Sequence, residues 1–310
     1  MKEYGSVSAY NNTAESVVTI GTFDGVHIGH RAILQRLVDT AKAEGRESVL
    51  LTFFPHPRMV LQKDSDIKLI QTIDERKEML LKTGIDHLVV HPFSIEFSRL
   101  TAVEYVRDVL VNSLHAKKVI IGYDHRFGRN RTADIHDLIE YGKTYSFEVD
   151  ELSAQQLDEV SVSSTKIRKA LLEGDIGTAN RYLGYPFMLS GIVTKGKGLG
   201  KTIGYPTANL HIEENYKLIP KKGVYMVHAE IDGKRVHGLT SIGTNPTVGG
   251  KNTSIETYIL DFEGDLYDRL LKINFIHLIR EEKTFNSLEE LKLAIQNDES
   301  FARNYLKKNE

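Results

Sequence analysis

His27 and His30, three positions apart with Gly29 between them, are the residues of this chain best placed to do chemistry. A β-branched run, Val17-Val18-Thr19-Ile20, enters the turn Gly21-Thr22-Phe23-Asp24-Gly25 ahead of them, and an amphipathic stretch from Arg31 to Ala43 follows. That pattern is a strand delivering polar groups to a helix N-terminus, where free backbone N–H groups and the helix dipole favour an anion. Imidazoles beside such a terminus can stabilise charge on a phosphate under attack. Position between a predicted strand and a predicted helix separates this pair from two histidines of an ordinary surface turn.

Other constellations carry chemistry only in company. Phe53-Phe54-Pro55-His56-Pro57 leaves a second predicted strand, its prolines stopping the ladder and fixing an extended loop. Alone it reads as a strand exit. Ile121-Gly122-Tyr123-Asp124-His125-Arg126-Phe127-Gly128 follows a later strand and sets a carboxylate, an arginine and a ring at the same end of the sheet. It suits a planar, partly polar ligand, or equally an ordinary polar loop. Val162-Ser163-Ser164-Thr165-Lys166-Ile167-Arg168 puts hydroxyls at a helix start and cations in its first turn. An N-cap explains the hydroxyls. The cations oppose the dipole, and an anion held between hydroxyls, backbone N–H groups and Arg168 resolves that conflict.

Lys195-Gly196-Lys197-Gly198-Leu199-Gly200-Lys201-Thr202 invites a P-loop reading and fails it. Gly-Lys-Thr at 200–202 requires glycine at 195, where lysine stands, and a β-rich run follows where that motif needs a helix. Gly196, Gly198 and Gly200 still let backbone amides approach a phosphate, with Lys201 adding charge. A flexible basic hairpin is the alternative. Glu256, among alternating apolar residues, faces either a ligand or solvent.

Two rhythms position these groups. Up to about residue 186, strand-like runs (Val17–Ile20, Ser48–Phe53, Asp86–Val90, Lys118–Gly122, Ser146–Val149) alternate with helix-period stretches. Thr72-Ile73-Asp74-Glu75 and Thr101-Ala102-Val103-Glu104 are capping boxes. This alternation predicts βαβ units and a doubly wound parallel sheet, whose ligands bind beyond the strands' carboxyl ends. After residue 187 come Phe187–Lys195, Gly223–Ile231, Lys234–Ile242, Ser254–Phe262 and Leu271–Leu278, separated by turns such as Asp232-Gly233. They predict an antiparallel barrel or sandwich, closed by a helix that Ser287-Leu288-Glu289-Glu290 caps. Short helices at Thr165–Leu172 and Thr178–Leu183 lie between the halves.

Composition bounds the rest. The 310 residues suffice for two ordinary domains, and a net charge of −2 gives no global pull toward nucleic acid or acidic membrane. Cysteine is absent, which excludes disulfides and thiolate metal sites. Without a signal-like apolar start or a membrane-length run, the expectation is a cytoplasmic protein.

Together the first-half motifs resemble the FMN adenylyltransferase module of prokaryotic bifunctional riboflavin kinase/FAD synthetases. The matches are the GxFDGxHxGH-type run at Gly21–His30, the proline loop at Phe54–Pro57, the GxDxxFG run at Gly122–Gly128 and SSTxIR at Ser163–Arg168. Gly204-Tyr205-Pro206-Thr207-Ala208-Asn209 resembles the GxPTAN motif of riboflavin kinases. Ser241–Thr247 resembles their IGxxPT turn, and Ile255–Tyr267 a further strand and turn. The likeness runs over roughly residues 15 to 305.

It implies a Rossmann-like nucleotidyltransferase domain over 1–186, including linker helices, and a riboflavin kinase barrel with a C-terminal helix over 187–310. It implies catalysis by His27, His30 and Glu256. ATP would meet Gly21, Phe23, Asp24, Gly25, Gly29, Ser163, Ser164, Thr165 and Arg168 in the first domain. FMN would meet Phe54, Pro57, Asp124 and Phe127. In the second domain ATP would meet Gly196, Gly198, Gly200, Lys201, Pro206, Thr207 and Asn209, with magnesium at Thr207 and Asn209. Riboflavin, FMN, FAD and ATP are the expected small molecules. No nucleic-acid or membrane partner is expected, and the oligomeric state stays open. Leu199, Lys201, Tyr258 and Asp268 depart from the family pattern, so the alternative is a monofunctional adenylyltransferase with a weak barrel.

Overall fold

The computed structural model describes residues 1–309 apart from 63–65, 123–124, 153–161, 197 and 248–249. They form two compact units, Met1–Ser164 and Thr165–Glu310.

In the first unit, β1 (Lys2–Tyr4), β2 (Ser16–Ile20), β3 (Glu47–Phe53), β4 (His87–His91), β5 (Ala116–Gly122) and β6 (Glu148–Leu152) form one sheet, ordered 1-4-3-2-5-6. Every pairing is parallel. All five residues of β2 are buried, as a strand covered on both faces requires. Helix α1 (Ile28–Glu44) buries Leu34, Leu37, Val38 and Ala41 at helical spacing and stops at Gly45, whose φ of 64° is the left-handed cap. Helix α2 (Ile73–Leu81) opens with the Thr72–Glu75 box, and Thr101–Glu104 closes the second expected box. Chain direction across the sheet reverses between β2 and β5, which marks the crevice beyond their carboxyl ends as the place for a ligand.

In this unit two strands differ from the sequence expectation. Ser146, expected to begin a strand, instead takes φ 60° as the cap of helix α3 (Ile135–Tyr145), so β6 starts at Glu148. Edge strand β1 was not anticipated. With only Tyr4 part-buried it has no apolar alternation to find.

In the second unit, β7 (Met188–Thr194), β8 (Ala208–His211), β9 (Gly223–Ile231), β10 (Lys234–Thr247), β11 (Gly250–Ile259) and β12 (Leu270–Glu281) close a barrel in the order 10-11-8-7-12-9. Every pairing is antiparallel. Closure removes the free edges a sandwich would keep. Asp232 and Gly233, at φ 51° and 74°, give the β9–β10 hairpin the turn its twist prefers.

Helix α4 (Ser164–Glu173) runs across the division between the units, and α5 (Ile176–Leu183) follows it. The Asn180 amide of α5 donates to the Phe275 carbonyl at 2.8 Å and accepts from the Phe187 N–H at 2.7 Å. Helix α6 (Leu288–Asn309) is tied to the barrel by Arg280–Asp298 at 2.9 Å and Arg303–Asp261 at 2.7 Å.

Candidate active sites

The first candidate site grows from the end of β2. The Gly21 N–H bonds the Leu51 carbonyl at 3.1 Å, and a Cβ on Gly21 would lie 2.9 Å from the Phe23 ring folded over it. Phe23, Gly25 and Val26 then take φ of 46°, 90° and 36°. For Phe23 and the β-branched Val26 such backbone costs on the order of 1–3 kcal/mol each, so surrounding contacts must hold it.

Asp24 supplies them. Its carboxylate accepts from the Ile70 and Gln71 N–H groups at 3.1 and 3.3 Å and faces the Arg76 guanidinium at 3.6 Å. Arg76 also donates to the Thr22 carbonyl at 2.8 Å, and the Ser164 hydroxyl donates to the Asp24 carbonyl at 2.9 Å. Asp24, expected among the ATP contacts, is therefore buried with its carboxylate engaged inside the fold. Arg76 was not singled out in the sequence. A cation in a helix's first turn was the available signal, as at Arg168.

The turn delivers His27 as the N-cap of α1. Its Nδ1 accepts the His30 N–H at 3.3 Å, so a neutral ring carries its proton on Nε2, leaving that N–H as a donor. The two imidazoles stack with centroids 3.6 Å apart and planes 17° apart, and the Phe23 ring lies 4.9 Å from His30. A Cβ on Gly29 would stand 3.4 Å from the His27 ring, in ordinary van der Waals contact with it. Among the described residues the buried Nδ1 of His30 has no hydrogen-bond partner. Burial, then the charges of His27 and Arg76, hold the His30 pKa well below its ordinary value of 6.5.

This has a stability consequence. His30 resists the proton in the fold and takes it readily once unfolded, so stability is lost as pH falls below about 6.5. His91 and His228, also lowered by burial, act with the same sign. The thermal midpoint should drop between pH 7 and about pH 5.5. A midpoint that stays flat across that interval contradicts the assignment.

Residues expected on the flavin side lie at the ends of β3 and β5. Phe54 is part-buried, and Pro57 is the first residue of a short helix capped by His56. Phe127 is buried against Tyr105 at 5.7 Å, and Tyr105 meets Phe97 at 6.1 Å. Phe97 and Phe93 in turn pack on Phe53 at 5.5 and 5.6 Å. This apolar wall of rings was missed in the sequence, where its members spread from Phe53 to Phe127. Asp124 lies outside the described residues. Ser163 and Thr165 are exposed, and Arg168 is part-buried farther along α4.

The second candidate site is set by strand register. Asn209 on β8 pairs directly with Glu256 on β11, and the Thr207 hydroxyl donates to the Glu256 carboxylate at 3.1 Å. Gly196 lies against them: a Cβ there would sit 2.2 Å from the Asn209 amide nitrogen. A Cβ on Gly200 would sit 2.2 Å from the Tyr205 carbonyl, and Gly198 takes φ 71°. Lys201, in the short helix Leu199–Thr202 that Gly198 opens, and Pro206 beyond it are exposed. Tyr258, two residues beyond Glu256, meets the Tyr205 ring edge-on at 5.1 Å. Asp268 adopts φ 60°, a left-handed backbone that glycine takes without strain.

The Thr207 hydroxyl and the Asn209 amide offer oxygen donors suited to a hard cation. Among the described residues no three His, Cys, Asp or Glu cluster as metal ligands. Two such oxygens fit magnesium, which takes one or two protein oxygens and completes its shell with phosphates and water. Replacing Gly196 with alanine should displace the Asn209 amide and cut phosphoryl transfer at this site by about tenfold or more, measured as phosphorylated product formed from ATP. An unchanged rate would detach the glycine loop from the site.

A family model described as FAD synthetase matches residues 9–166, and one described as riboflavin kinase matches residues 183–306. The chain is 37% identical over 294 residues to a bifunctional riboflavin kinase/FMN adenylyltransferase of Listeria monocytogenes, covering 94% of this chain and 93% of that one. It is 37% identical to the enzyme of that name from Escherichia coli K12, covering 93% and 92%. For the one from Pseudomonas fluorescens the identity is 38%, again over 93% and 92%. A solved structure from Streptococcus pneumoniae, described as a macrolide-efflux protein, matches with a TM-score of 0.88 and 30% identity over 98% of both chains.

Proposed function

Since the chain belongs to the bifunctional riboflavin kinases/FMN adenylyltransferases, which make FMN and then FAD, we propose how its own residues divide that work. Adenylyl transfer is assigned to residues 1–186, linker helices included, and phosphorylation to residues 187–310. The observation that carries this reading is the coexistence of two sites: stacked imidazoles at a helix N-terminus, and a register-paired Glu256–Asn209 beside Thr207.

In the barrel, Glu256 accepts the proton of the ribityl 5′-hydroxyl, whose oxygen attacks the γ-phosphorus of ATP and releases ADP. The glycine loop and Lys201 neutralise charge on the phosphates, so catalysis here is mainly positioning. Thr207 and Asn209 would hold magnesium, which supplies charge neutralisation on the phosphate oxygens when bound. In the α/β unit the FMN phosphate attacks the α-phosphorus of a second ATP, and pyrophosphate leaves. That nucleophile is already an anion, so no protein base is needed. His27 and His30 donate to oxygens on which charge accumulates, alongside the N-terminal N–H groups of α1. Phe54, Pro57, Phe127 and the ring wall behind them receive the isoalloxazine.

Both modules match their families, which favours two activities over the monofunctional alternative. We assign the enzyme to the cytoplasm on the supply of ATP and the lack of cysteine. Among the described residues no helix is long and apolar enough to cross a membrane. The test is to supply Mg-ATP with riboflavin or with FMN as separate starting points. Riboflavin should yield FMN and FAD, and FMN should yield FAD with pyrophosphate. Failure of the second reaction overturns the first site, and failure of FMN formation overturns the barrel assignment.

A further inference from the structure

Arg76 has no part in either reaction as derived above, yet its side chain is fully buried. A buried guanidinium persists only where its charge and donors are answered. Helix propensity does not explain it, since a cation in the first turn of α2 opposes the dipole. Asp24 does: its carboxylate lies 3.6 Å from the guanidinium and also takes the two backbone N–H groups ahead of the helix. Arg76 donates at 2.8 Å to Thr22 as well, so it grips the catalytic turn on both sides of Phe23. Phe23 and Val26 hold left-handed backbone there, and His27 is the next residue.

We propose that Arg76 is a positioning residue for adenylyl transfer, which with Asp24 braces the Thr22–Val26 turn so that His27 stays stacked on His30. The proposal rests on the reading of His27 and His30 as the adenylyl-transfer site. Lysine cannot replace the contact, because a single ammonium does not reproduce a planar fork reaching a carbonyl and a carboxylate together.

Full-length Arg76→Lys, Arg76→Met and the double variant Arg76→Met/Asp24→Asn test it, the double leaving no unpaired buried charge. Steady-state FAD formation from FMN should show kcat falling about tenfold in Arg76→Lys and about a hundredfold in the other two. The KM for ATP should move less than kcat. Riboflavin phosphorylation should stay within about twofold of the parent, since the barrel folds around its own core. The upfield ring-current shift of the stacked imidazole protons should shrink in the same order as kcat. Parental kcat and ring shifts in Arg76→Lys, or parental kcat in the double variant, would reduce Arg76 to a stabilising role and overturn the proposal. His27→Ala is measured alongside. If that variant forms FAD at the parental rate, the reading of the site fails, whatever the Arg76 variants do.

Discussion

Replacing His27 with alanine is expected to slow FAD formation from FMN by about a hundredfold or more, the usual cost of one donor aimed at developing charge. Two losses coincide. The Nε2–H donor disappears, and so does the N-cap that accepts the His30 N–H at 3.3 Å. Losing the cap costs on the order of 1 kcal/mol of helix stability, which a domain stable by about 5–15 kcal/mol survives folded. Riboflavin phosphorylation should be unchanged, because Glu256, Thr207 and Asn209 lie in the other unit. His27→Asn separates the effects. Asparagine restores a cap without the imidazole, so it should recover helix stability and leave the rate low. Recovery of rate by asparagine would make His27 a capping residue and nothing more.

Replacing Glu256 with glutamine should slow FMN formation by about a hundredfold to ten-thousandfold, the range a positioned general base contributes. Glutamine keeps the shape and can still meet the Thr207 hydroxyl, which lies 3.1 Å from the carboxylate. Register with Asn209 should therefore survive, and the deficit should fall on kcat more than on the KM for ATP. FAD formation from supplied FMN should be untouched. If Glu256→Gln phosphorylates riboflavin at the parental rate, the carboxylate merely anchors Thr207.

The imidazole pair was legible because its chemistry and its setting are contiguous. Strand, glycine turn, two histidines and helix fall within one short stretch, and local physics sets each of them. The clamp behind that turn was not, because Asp24 reads as part of the motif while Arg76 reads as one more charge on an amphipathic helix. Only the fold brings them together. The ring wall was illegible for the same reason, its members coming from the end of β3 (Phe53), the segment after β4 (Phe93), two helical segments (Phe97 and Tyr105) and the loop after β5 (Phe127). In the barrel, the long strands announced themselves by apolar runs. β8 did not, since Ala208–His211 holds one buried residue, Leu210, and sits inside a motif already read for its polar groups. That strand nonetheless sets Asn209 opposite Glu256. Ser146 shows the reverse error, a residue in a strand-like run claimed by the cap of the preceding helix.

The central claim is that one chain holds two separable phosphate-transfer sites, and mixing two variants tests it most directly. His27→Ala and Glu256→Gln are each incubated with riboflavin and Mg-ATP, alone and together, and FAD is measured by chromatography. Alone, the first should stop at FMN and the second at riboflavin. Together they should make FAD, the FMN released by one feeding the other. A mixture of folded variants that makes no FAD, or either single variant that has lost both reactions, would contradict the division of labour.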